Sequence, residues 1–162
     1  MSQVMANQSF GAAGVSFRDR ARSTSLFTYL CWAQGLYYFV TGVWPLVSIE
    51  TFQMVTGWKT DHLVTGRESD HWLVMTVGVL IVAIAVTLLF AAWRRQESPE
   101  VALLAVASAL ALTGIDVVYV SRGTIAPIYL ADAAAEVILI AAWAFVLVRR
   151  LRGANTAALR QV

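Results

Sequence analysis

The sequence predicts an all-α fold: a four-transmembrane-helix antiparallel bundle, with a short interfacial helix in the outer loop between helices 1 and 2. Three observations lead there. Of the 162 residues, 59% are hydrophobic and only 14% charged, more apolar surface than a soluble domain of this size can hide. The apolar residues gather in four long runs. Lysine and arginine fall on alternate sides of those runs.

The first 24 residues scatter Phe10, Val15 and Phe17 among polar residues and read as an N-terminal tail. No cleavable leader is expected. The first long apolar stretch starts near Leu26 and is too long for a leader's apolar core, so it reads as a retained anchor. The first span is placed from Ser25 to Val47, with Pro45 near its end. It contains the lone cysteine, Cys31, which excludes an internal disulfide and reads as a small buried hydrophobe.

The outer loop runs from about Ser48 to His71. Ser48 is placed to cap a short helix through Ile49, Phe52 and Val55, stopped by Gly57. Lys59, Asp61, Arg67, Glu68 and Asp70 give the rest of the loop mixed charge. His62 and His71, with Asp61 and Asp70, match no zinc spacing, and a solvated loop is expected.

The second span, Trp72 to Trp93, holds no charged residue over 22 positions. At 1.5 Å per residue that is roughly 33 Å of helix, enough to cross a bilayer core of about 30 Å. Arg94, Arg95 and Pro99 separate it from the third span, Val101 to Val120. Arg122 and Gly123 close that span: a cation at a helix C-terminus, then a residue that accepts positive φ. The fourth span is placed from Pro127 to Val148, since proline is tolerated in a first helical turn. The domain organisation is therefore an N-terminal tail at 1–24, a membrane domain at 25–148 and a C-terminal tail at 149–162.

Nine of the twelve basic residues lie on one side: Arg18, Arg20, Arg22, Arg94, Arg95, Arg149, Arg150, Arg152 and Arg160. Lys59, Arg67 and Arg122 lie on the other. The positive-inside rule places both termini in the cytoplasm, which also argues against glycosylation at Asn7-Gln8-Ser9. Trp44, Trp72, Tyr119 and Tyr129 fall near the outer ends of the spans, and Trp93 and Trp143 near the inner ends, where aromatic anchors belong. Trp143 suits helix packing equally well.

The candidate site is a set of carboxylates in lipid. Asp116, Asp132 and Glu136 sit inside apolar runs, where a charge costs at least about 2.5–3.5 kcal/mol and such residues face a protein interior or a wet cavity. Small residues repeat as Ala83, Thr87 and Ala91 on span two, and as Ala105, Ala109 and Thr113 on span three. These stripes predict packing faces, and Asp116 continues the second of them. Asp132 and Glu136, four apart, share a helix face. All three acids lie in the outer half, roughly 6–14 Å deep at 1.5 Å per residue. Tyr37, Tyr38 and Thr41 reach the same depth, as do His71 and Thr76, and together they form an outward-facing cup; Gln34 lies deeper. The candidate binding residues are Asp116, Asp132, Glu136, Tyr37, Tyr38 and His71.

No nucleotide-binding loop, zinc-protease motif or serine elbow is present. No catalytic residue, cofactor or metal site is expected. Three readings of the acids stand side by side: a structural lock of hydrogen-bonded or protonated carboxyls, a site for a cationic or hydroxyl-bearing ligand, and a proton or ion path.

The stretch from Tyr37 to Leu46, with Val55–Asp61, Trp72–Val74 and Thr76–Gly78, resembles small uncharacterised four-helix integral membrane proteins of bacteria, over roughly residues 35–140. That resemblance implies a multi-pass protein of the bacterial inner membrane and carries no activity. The four-helix plan is also similar to sterol-isomerase-like and DoxX-like families, but no catalytic motif of theirs is matched.

The leading expectation is a non-catalytic accessory or structural subunit of a larger membrane complex, for example an energy-converting one. The alternatives are a stand-alone protein that binds or moves a small molecule or lipid through the acidic cavity, and an isomerase-like membrane enzyme. The expected partners are the lipid bilayer and other membrane subunits, with a lipid, a pigment or a small hydrophobic ligand as further candidates; nucleic acid is not among them.

Overall fold

The computed structural model describes residues 26–56 and 71–159, apart from the side chains of His71 and of the last helix beyond Gly153. Expectations for the tail at 1–24 and for the loop residues from Gly57 to Asp70 lie outside the described residues. Five helices occur among the described residues, and no strand. They are α1 at 26–47, α2 at Ile49–Thr56, α3 at His71–Trp93, α4 at Pro99–Ser121 and α5 at Tyr129–Leu159. Three are long and apolar enough to cross a membrane, over Trp72–Trp93, Pro99–Ser121 and Tyr129–Gly153. Helix α1 is the more polar one, interrupted by Gln34, Tyr37, Tyr38 and Thr41.

The helix ends follow local chemistry. Ser98 caps α4 by accepting the Val101 N–H at 3.3 Å, and Pro99 takes the first helical position. At the other end Gly123, at φ +69°, lets its own N–H reach Val120 and that of Thr124 reach Tyr119, the paired bonds of a Schellman stop. Helix α3 ends with the same two bonds, from Arg95 to Ala92 and from Gln96 to Ala91, but with Arg95 at φ 50°.

Helix α5 starts at Tyr129 rather than Pro127, because the N–H groups of Tyr129, Leu130 and Ala131 bond three residues back, in a tighter turn than an α-helix. It also continues past Val148 to Leu159. The short helix forms where Ser48 was expected to start it. Its buried residues are Gln53 and Thr56, whereas Val55 is exposed. Trp44 sets this face: its ring meets Phe52 edge-on at 5.7 Å and its indole N–H donates to Thr51.

Helices α1 and α3 meet backbone to backbone. A Cβ on Gly42 would stand 3.0 Å from the Gly78 carbonyl oxygen, and one on Gly78 would stand 2.9 Å from that of Gly42. This is the close approach that small residues permit in lipid. It corrects the expected stripe on this helix in part: Ala91 is buried as expected, but Ala83 and Thr87 are exposed, and Gly78, Ala85 and Leu88 are buried instead. On α4 the buried residues are Ala102, Ala105, Ala109 and Asp116, a run at helical spacing that includes the expected face.

Much of the outer surface is apolar. Leu103 and Ile138 are each 70% exposed, and Val79, Leu80 and Phe90 also point outward. Of the expected aromatic anchors, Trp44, Trp72, Trp93 and Tyr119 are exposed. Trp143 is not an anchor; it is completely buried and packs edge-on against Phe27, with ring centroids 5.0 Å apart.

Candidate functional site: a carboxylate and tyrosine core

Residues at one end of the protein, near Trp72, Ser121 and Tyr129, bring the acids together; we call it the acidic end. The opposite end, near Arg94, Arg95 and Arg150, is the arginine end.

Two consecutive tyrosines on α1 each take one acid on α5. The Tyr37 hydroxyl donates to Asp132 Oδ1, and the Tyr38 hydroxyl donates to Glu136 Oε2 at 3.0 Å. Neighbouring residues on a helix point about 100° apart. Tyr37 is accordingly half-buried, whereas Tyr38 sits fully inside. Asp132 and Glu136, one turn apart, offer acceptors at two successive levels. Asp116 comes from α4 and is 6% exposed. Both Asp116 and Asp132 lie within electrostatic reach of Glu136, and Ser108 and Gln34 lie beside the Tyr38 hydroxyl.

Glu136 is completely buried. Its Oε2 is bonded to Tyr38, but its Oε1 is buried with no hydrogen-bond partner among the described residues. Most buried polar atoms are paired. Glu97 Oε1, at the arginine end, is another exception among the described residues, but its carboxylate has Arg150 as a cationic partner, whereas Glu136 has none there.

Towards the arginine end the core closes. Gln34, itself fully buried, donates from Nε2 to the Ala105 carbonyl at 2.8 Å and accepts the Trp143 indole N–H at 2.7 Å. One side chain of α1 thereby joins α4 and α5. The short side chain of Ala105 leaves room for the amide to reach the helix backbone. Beyond it lie Phe27, Cys31 and Leu88, all buried. At the rim Arg150 pairs with Glu97 and covers the Phe27 ring, its guanidinium carbon 4.5 Å from the ring centroid.

Of the six expected binding residues, five fall in one neighbourhood: Tyr37 on Asp132, Tyr38 on Glu136, and Asp116 near Glu136. The side chain of His71 lies outside the described residues. Two threonines expected at the cup, Thr41 and Thr76, bond the backbone of their own helices: Thr41 donates to the carbonyls of Tyr37 and Tyr38, and Thr76 to that of Trp72. Gln34 and Trp143 were the missed members. Trp143 stands seven residues after Glu136, on the same helix face, and Gln34 is the only amide in its span; together those were the available signal.

Among the described residues no group of three or more His, Cys, Asp or Glu is arranged to hold a metal ion. No protein-family model, curated protein or solved structure matches the chain.

Proposed function

We propose that the chain is a non-catalytic, four-span integral membrane protein that acts as an accessory or structural subunit of a larger membrane assembly. In this reading α1 is the fourth span, the four long helices form an antiparallel bundle, and the arginine end faces the cytoplasm of a bacterial cell. The observation that carries it is the use made of the buried polar groups. Tyr37, Tyr38 and Gln34 spend their donors on holding α1 to α5 and α4.

Two further features support a role exerted sideways in the membrane. Helices α3, α4 and α5 are joined by short connections at 94–98 and 122–128, as in neighbouring helices of one bundle. The outward face of the long helices is lined with large apolar side chains. A protein built this way acts through lateral contact with lipid and with other membrane proteins.

Native mass spectrometry after gentle detergent extraction tests the reading. A defined co-extracted membrane protein at fixed stoichiometry is the expected result. A partner-free monomer, from membranes in which the chain is expressed at its natural level, overturns it.

A further inference from the structure

We infer that the carboxylate core is a proton-binding site, loaded at Glu136 and in exchange with solvent through Asp132. The inference rests on the membrane-embedded reading above and adds an occupant to it.

Glu136 is completely buried, with Oε2 held by Tyr38 and Oε1 lacking a hydrogen-bond partner among the described residues. Among the described residues, the titratable groups around it are Tyr37 and Tyr38 from α1, Asp116 from α4 and Asp132 from its own helix. Helix α3 offers no titratable side chain from Trp72 to Trp93. Nothing in that set is a cation. A buried carboxylate without a cation, and with two acids nearby, is an uncompensated charge of the kind proteins avoid. A proton on Oε1 removes the charge and turns the bare acceptor into a donor.

The exchange route is set by what lies on either side. Towards the arginine end both functional groups of Gln34 are engaged, and the indole N–H of Trp143 can donate but offers no lone pair to relay a proton. Fully buried Phe27, Cys31 and Leu88 follow. Towards the acidic end the next carboxyl is Asp132, only half-buried and bonded to the half-buried Tyr37. Protons therefore reach Glu136 from the acidic end and do not pass through.

Infrared difference spectroscopy of the full-length protein in lipid vesicles, at neutral pH and with transfer into D2O, reads this directly. The expected result is a protonated-carboxyl C=O band that shifts in D2O, is lost in Glu136→Gln and is displaced but kept in Tyr38→Phe. Asp132→Asn should slow the deuterium shift several-fold, while Trp143→Phe leaves its rate unchanged. Absence of the band in the wild-type protein overturns the proposal, as does a band unaltered in Glu136→Gln. An exchange rate raised by Trp143→Phe and untouched by Asp132→Asn overturns the route. If Glu136→Gln fails to fold, Tyr38→Phe decides the assignment: a band it does not move belongs elsewhere. The mass of the extracted assembly is read separately, so either idea can fail alone.

Discussion

The contact between α1 and α5 has two unlike halves. Near the acidic end it is made of hydroxyls and carboxyls: Tyr37 with Asp132, Tyr38 with Glu136 and a bare oxygen beside them. Near the arginine end it is made of rings and one amide, with Trp143 seated on Phe27 and its N–H taken by Gln34. The difference teaches how one helix pair divides its tasks. The ring half supplies shape and dispersion, which hold two helices at one spacing. The acid half supplies directional bonds that depend on the protonation of their partners, and so fixes register while staying responsive.

The strongest way to break that comparison is to empty the ring half. Trp143→Ala removes the largest fully buried side chain among the described residues and should cost about 3–5 kcal/mol, the range for large aromatic truncations in a core. Thermal unfolding in detergent reads it, and a loss no greater than that of any acid-half variant sinks the assignment of tasks.

The next effect concerns what holds α1 from its other side. Gly42→Ala sets a methyl 3.0 Å from a backbone oxygen that cannot step aside, and should cost about 1–3 kcal/mol through overpacking. Gly114→Ala is the control. Nothing lies within 4 Å of its added methyl, so the helix should gain about 0.5–1 kcal/mol. Equal shifts from the two variants would deny the close approach of α1 and α3.

The smallest effect sharpens the acid half. Tyr38→Phe deletes one donor and keeps the ring, and should cost about 0.6 kcal/mol, the average for hydrogen bonds between membrane helices. If the halves differ as described, that cost varies with the pH of unfolding, whereas the cost of Trp143→Ala does not. Parallel pH profiles for the two variants count against the distinction.

Much of this was legible in the sequence, and for identifiable reasons. The span from Trp72 to Trp93 declares itself by length without charge, and the stop at Gly123 by residue type. Asp116 could be assigned a face because Ala105 and Ala109 mark it at helical spacing. Depth was legible too: counting residues from the helix ends puts Tyr37, Tyr38, Asp132 and Glu136 in the same half of their helices, towards the acidic end. Which tyrosine meets which acid was not, because pairing depends on helix rotation and a small axial shift. Helix α3 shows why the small-residue stripe misled there. Where every position is apolar, several stripes can be drawn, and only contact with α1 selects Gly78 and Ala85 over Ala83 and Thr87. Trp143 was ambiguous because a tryptophan near a span end serves equally as an anchor or as a wedge.

The polar side chains of α1 also impose an order on how the protein is made. Tyr37 and Tyr38 find their acceptors 95 and 98 residues later in the chain, and Gln34 finds the Trp143 indole 109 residues later. During synthesis α1 is thus made with its tyrosine hydroxyls unanswered, and it can close on α3 through glycine contacts before the last helix exists. Only arrival of α5 completes it. A chain that stops short of Tyr129 leaves two phenols without their carboxylates, while the Gln34 amide already has the Ala105 carbonyl of α4, so the last helix is answered chiefly by the tyrosines.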